Sequence, residues 1–162
     1  MRVIGIDPGT AITGWGVVDG DGNDLQMVAA GVVRTAAGTP LPQRLQIIYN
    51  DLTALIKEWQ PESSAIEELF FSKNAKTALA VGHGRGVAML ALANANLSIT
   101  EYKPLEVKQA VTGYGGADKQ QIQQMVKLLL SLEDIPRPDD AADALAVAIC
   151  HVHSARLRLL ES

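Results

Sequence analysis

The run DDAADALAVAIC, Asp139 to Cys150, holds two acids, Asp140 and Asp143, spaced three residues apart. On a helix that spacing projects both carboxylates from the same side, one turn apart. Asp143 stands among Ala141, Ala142, Ala144, Leu145 and Ala146, where an unpaired charge is costly, so a cationic partner or a metal is expected beside it. Asp139 reads as a helix N-cap, favoured by the dipole. Two further acids end short apolar runs: Asp7 closes RVIGID and Glu67 closes SSAIE. A carboxylate at the exit of a strand adds little to packing, and four acids from three segments repel one another unless cations lie among them. Asp7, Glu67, Asp140 and Asp143 are therefore the candidate catalytic and metal-ligating residues, with the hard oxygen donors that suit Mg²⁺ or Mn²⁺. Two such ions about 3.5 to 4 Å apart could grip a phosphodiester, activating water on one side and stabilising the leaving oxygen on the other. Glu68 would point to the opposite strand face and is expected to be a surface acid.

The elements that must place these acids follow from the apolar pattern. Arg2 to Ile6, Thr13 to Val18 and Leu25 to Thr35 are extended runs separated by turn-forming residues, an antiparallel meander. Leu45, Ile48, Leu52, Leu55, Ile56 and Trp59 trace one face of an amphipathic helix that ends before Pro61. Ser64 to Glu67 is a strand entered from that helix, so it reaches the first strand by a crossover. Thr77 to Asn94 is a helix rich in Gly and Ala, expected to be buried and to let another helix or backbone approach closely. Leu97 to Tyr102 is a strand, Leu105 to Thr112 and Lys119 to Leu132 are helices parted by GYGGAD, and a last helix runs from Asp139 to about Leu159. The order β-β-β-α-β-α-β-α-α-α describes an α/β fold, a mixed five-stranded sheet flanked by helices.

At 162 residues, with 48% apolar and 20% charged residues, the chain is expected to form one domain over 1–162. No positively charged segment followed by an apolar run opens the sequence, and the Ala75 to Leu97 region is interrupted by His83 and Arg85, so a cytoplasmic protein with no membrane contact is expected. The single cysteine, Cys150, excludes an internal disulfide and a cysteine-based metal site. The net charge of −4 speaks against simple polyanion binding, but its distribution is uneven. Residues 69–127 carry seven Lys and Arg against three acids, whereas the remainder carries seven against fifteen. A basic nucleic-acid face beside an acidic metal site would give such asymmetry. His151 and His153 lie two apart on a helix and so diverge, which makes them a poor ligand pair and predicts a surface or core-edge place.

GIDPGT with TGWGVV, AIEELFFSKNAKTALAVGHGRGVA, VKQAVTGYGGADKQQIQQMV and DAADALAVAICH stand in the order and spacing of the RuvC family of bacterial Holliday junction resolvases, which this sequence resembles over nearly its whole length. The resemblance implies a ribonuclease H-like fold, a homodimer, symmetric cutting of two opposing strands of a four-way DNA junction, and partnership with the RuvA and RuvB branch-migration proteins. The family's catalytic acids fall on Asp7, Glu67, Asp140 and Asp143. Its junction-stacking aromatic falls on Phe70, and its basic positions near the site fall on Lys108 and Lys119. Lys73, Lys76 and Arg85 are further DNA-binding candidates. The Ala and Gly stripe from Ala78 to Ala91 is expected at the subunit interface. GIDPGT also resembles the first phosphate loop of the actin, Hsp70 and sugar-kinase superfamily, but those proteins need a second domain and a second phosphate loop. A catalytically silent junction-binding or RNA-processing protein of the same fold would not require all four acids.

Overall fold

The computed structural model describes residues 1–21, 23–68 and 74–162. Three strands open the chain: β1 (Arg2–Asp7), β2 (Ile12–Gly20) and β3 (Leu25–Arg34). Helix α1 (Leu41–Trp59) carries the chain across to β4 (Ser63–Glu67), and α2 (Ala75–Asn94) leads to β5 (Ile99–Tyr102). Helices α3 (Pro104–Thr112), α4 (Lys119–Leu129) and α5 (Asp139–Glu161) follow. The strands form one sheet in the order β3-β2-β1-β4-β5, antiparallel among β1, β2 and β3 and parallel across β1, β4 and β5. The mixed sheet and the element order match the sequence expectation, and the ends of the strands and helices differ from it by a few residues.

Side-chain alternation along the strands sorts residues onto two apolar layers. Val3 and Ala65 pack with α3, α4 and α5, whereas Ile4, Ile6, Trp15, Val17 and Ile66 pack with α1 and α2. Asp7 shares the parity of Val3 and Gly5, and Glu67 shares that of Ser63 and Ala65, so both acids belong to the face that α5 covers. Ile6 stands beside Ile66 in the parallel pair, which makes Asp7 and Glu67 the next residues on neighbouring strands.

That face is lined by glycine where α5 crosses it. A Cβ on Gly5 would lie 2.2 Å from the Ala144 carbonyl oxygen, and one on Gly14 would lie 2.0 Å from that of Asp140. At Gly16 it would press on the Leu145 side chain at 2.7 Å. Backbone therefore meets backbone, and α5, whose residues Ala141, Ala142 and Ala144 to Val152 are buried, sits deeper than any larger strand residue would permit.

Two expectations are corrected here. Helix α2 is not buried throughout: Gly84, Ala88, Ala91 and Leu92 are buried and Val87 and Met89 pack partly against the core, while Leu79 and Leu90 are 64% and 53% exposed. Its small residues occur all round the helix, so hydropathy overstated its burial. His151 is not at the surface but 6% exposed, because it continues the inward stripe of Ala144 and Ala148. Its Nδ1 lies 2.9 Å from the Tyr102 hydroxyl and its Nε2 lies 3.1 Å from Ser63 Oγ, so both ring nitrogens are satisfied. His153 bonds the Ala110 carbonyl at 3.1 Å.

The glycine face yields a stability prediction. Gly5→Ala should destabilise the protein by about 3 kcal/mol, since backbone and not a flexible side chain must move. Gly38→Ala, where an added Cβ meets nothing within 4 Å, should stay within about 0.5 kcal/mol of the wild type. Urea denaturation midpoints of the two variants check the difference.

Candidate metal centre and active site

Each acid of the site is delivered by a different piece of backbone chemistry. Asp7 ends β1, where Pro8 and Gly9 stop the strand, and its register partner on β2 is Gly14. Because Gly14 carries no side chain, the first turn of α5 settles directly on it and brings Asp140 beside Asp7. Asp143 follows one turn on. One oxygen from each of Asp7, Asp140 and Asp143 lies within 4.8 Å of the other two, and all three residues are half-buried. Glu67 falls outside this tight group yet within its field, for Asp143 opposes its ionisation and Glu67 in turn opposes that of Asp7.

The electrostatics of the group are those of an anionic site awaiting a counter-charge. Burial, followed by the charges of Asp143, Glu67 and Asp140, pushes the Asp7 carboxyl up to about 8. Burial raises Glu67 and Asp143 as well, the latter held partly in check by Lys119. Lys119 Nζ lies 3.5 Å from Asp139 Oδ2 and 3.7 Å from Asp143 Oδ2, and the Asp143 charge raises its own pKa. It opens α4, whose start is fixed by a capping box. There Asp118 accepts from the Gln121 N–H at 2.8 Å, and Gln121 Oε1 accepts from the Asp118 N–H at 2.9 Å. Lys108, on α3, favours ionisation of Glu67. The remaining repulsion among the acids fits divalent cations, for which closely spaced carboxylate oxygens are hard donors.

The other sequence candidates divide. Asp139 is the first residue of α5 and not its N-cap, which is Pro138, and it pairs with Lys119. Glu68 lies just beyond β4, its N–H bonded to the Tyr102 carbonyl at 2.7 Å. Lys76 is exposed in the first turn of α2. Arg85 does not project as a free cation: it pairs with Glu101 at 2.7 Å and donates to the Glu67 carbonyl. Phe70 and Lys73, along with Phe71, lie outside the described residues. Thr10, which would meet a nucleotide phosphate in a kinase, is buried with its hydroxyl donating to the Ala80 carbonyl, and its own carbonyl accepts from Thr35. The loop that sequence left ambiguous is thus committed to holding α2. Sequence reasoning missed this use of Thr10 and the pairing of Arg85; both depend on where α2 docks.

The raised carboxyls predict how stability depends on pH. The folded state keeps the Asp7 proton up to about pH 8, whereas the unfolded chain releases it near its ordinary value of 3.8. Proton binding therefore favours folding at low pH, and that contribution fades as pH rises through 8. In the presence of chelator, the melting temperature of the wild type should fall between pH 5 and 8.5 more steeply than that of Asp7→Asn. Millimolar Mg²⁺ should recover the loss in the wild type at pH 8 and raise Asp7→Asn less. Thermal melts of both proteins across that range provide the check.

Known proteins share this sequence and this arrangement of elements. The family profile described as crossover junction endodeoxyribonuclease RuvC matches residues 3–151. Crossover junction endodeoxyribonuclease RuvC of Chloroflexus aggregans is 61% identical over 155 residues, covering 96% of this chain and 94% of the relative. That of Desulforamulus reducens is 60% identical over 151 residues, covering 93% of each. Among solved structures, Thermus thermophilus RuvC in complex with a Holliday junction substrate superposes with a TM-score of 0.93 at 36% identity, over 98% of this chain and 96% of that one. The yeast mitochondrial Holliday junction resolvase Ydc2 shares the fold, with a TM-score of 0.70 at 15% identity. With a profile match spanning nearly all of its length and relatives near 60% identity, the chain belongs to the RuvC family of crossover junction endodeoxyribonucleases.

Proposed function

We propose that this protein resolves Holliday junctions in recombination and DNA repair, hydrolysing one phosphodiester in each of two opposing strands and leaving 5′-phosphate and 3′-hydroxyl ends. The observation that carries the reading is the cluster of Asp7, Asp140 and Asp143 oxygens within 4.8 Å, with Glu67 in its field. In this reading Asp7, Glu67, Asp140 and Asp143 together hold Mg²⁺ or Mn²⁺, two ions per site. Bound there, the ions would supply an activated water and charge stabilisation for in-line displacement.

The chain's own groups account for the rest. Rigid strand ends and the first turns of α5 fix the carboxylates in advance, so little reorganisation is needed when a phosphate arrives. Lys119, now paired with Asp139 and Asp143, and Lys108, whose charge acts on Glu67, would receive a backbone phosphate or steady the charge that develops on it. Phe70 would stack on an unpaired base at the junction centre, and Lys73 and Lys76 would extend the basic face. Two copies of the single 1–162 domain would act together, each cutting one strand. The outward side of α2 supports that assembly, since Gly82 and Gly86 have open space above them and Leu79 and Leu90 are exposed. RuvA and RuvB are the partners expected from the family, in the cytoplasm. No helix among the described residues is long and apolar enough to cross a membrane.

The deciding experiment incubates the protein with a synthetic mobile four-way junction and Mg²⁺ or Mn²⁺. Paired, symmetric nicks are expected from the wild type, and their absence overturns the reading. Asp7→Asn should lose at least about a hundredfold in cutting rate while still binding the junction. Lys108→Ala and Lys119→Ala should slow cutting, and each lost phosphate contact should reduce the salt slope of binding by about 0.9. Gel-shift titrations over a range of salt concentrations read both effects.

A further inference from the structure

Helix α2 touches the two strands that carry Asp7 and Glu67 through consecutive residues. Gly84 lies so close to the turn after β1 that an added Cβ would come within 2.7 Å of the Gly9 carbonyl carbon. Arg85, next in sequence, reaches the exit of β4. Its side chain is 12% exposed; Nη1 donates to the backbone carbonyl of Glu67, and Nη2 pairs with Glu101 Oε1 at 2.7 Å. Glu101 lies on β5 beside Ile66, and Glu67 lies beside Tyr102. One planar guanidinium thus ties the last residue of β4 to the neighbouring strand, alongside the Glu68 N–H to Tyr102 carbonyl bond of 2.7 Å that closes the ladder.

Glu67 has particular need of such a tie. It ends its strand outside the compact group of three acids, and the charge of Asp143 acts against its ionised form. A carboxylate repelled by its neighbours and placed on the last residue of a strand would drift outward unless its backbone were held. Arg85 holds that backbone and has its own charge compensated by Glu101, so little is left for a DNA phosphate. A lysine would keep the charge without the two-pronged geometry.

We propose that Arg85 is a positioning residue for Glu67, fastening the exit of β4 to Glu101 of β5 so that the Glu67 carboxylate stays with Asp7 and Asp143. The inference rests on reading these acids as a metal site. Its test is Mn²⁺ binding to the full-length protein without DNA, followed by electron paramagnetic resonance, together with single-turnover cutting and junction affinity. Arg85→Met should weaken Mn²⁺ binding about fivefold or more and slow cutting about tenfold, leaving junction affinity and its salt slope within twofold of the wild type. Glu101→Gln, which retains the bond to the Glu67 carbonyl, should shift Mn²⁺ binding in the same direction by a smaller factor, and Arg85→Lys should restore only part of the loss. In the Glu67→Gln background, Arg85→Met should weaken Mn²⁺ binding no further. The proposal is overturned if Arg85→Met leaves Mn²⁺ binding unchanged, if its effect adds in full to that of Glu67→Gln, or if it instead weakens junction binding with a shallower salt slope that Arg85→Lys restores. Because Mn²⁺ binding is read without DNA, a wild type that binds the ion but does not cut junctions counts against the resolvase reading alone.

Discussion

The close approach of α5 to the sheet is the constraint on which the rest of the molecule depends. Gly5, Gly14 and Gly16 leave a shallow floor across β1 and β2, and the helix backbone fills it, with the Asp140 and Ala144 carbonyls where strand side chains would otherwise stand. A helix packed at the ordinary distance, on a floor of valines, would carry Asp140 and Asp143 away from Asp7 by more than a carboxylate can span. The same contact buries much of α5, so the geometry of the site and the stability of the core come from one interface.

That interface brings together groups that oppose one another. Asp7 is driven up to about 8 by burial and by the acids around it, and Glu67 and Asp143 are raised as well. Such a cluster lowers the stability of the folded state whenever it is ionised, and it persists because strand ends and a well-packed helix leave its members no room to separate. Lys119 offsets part of the repulsion from outside, at 3.5 and 3.7 Å from Asp139 and Asp143. The arrangement suits divalent cations for the same reason that it is unfavourable without them.

Helix α2 contributes rigidity on the opposite face. Thr10, Gly84 and Arg85 lock it to the turn after β1 and to the exit of β4, so the two strand ends that bear acids are braced by one element. Gly82 and Gly86, by contrast, have open space above them. The helix therefore faces both the site's supporting strands and the surface proposed to meet a second subunit.

Sequence by itself determined the order of elements and the sheet class, and it singled out four candidate acids. Period-two alternation, turn residues and a three-residue spacing of aspartates are local signals that survive without knowledge of neighbours. What the tertiary structure decided was how far apart those acids lie and what the polar residues beside them do. Thr10 could have served a phosphate but serves a helix carbonyl; Arg85 could have served DNA but serves Glu67 and Glu101; His151, at an apparent core edge, is enclosed by Tyr102 and Ser63. Each of these outcomes joins residues far apart in the chain, and no local pattern records a partner that folding alone brings within hydrogen-bond distance.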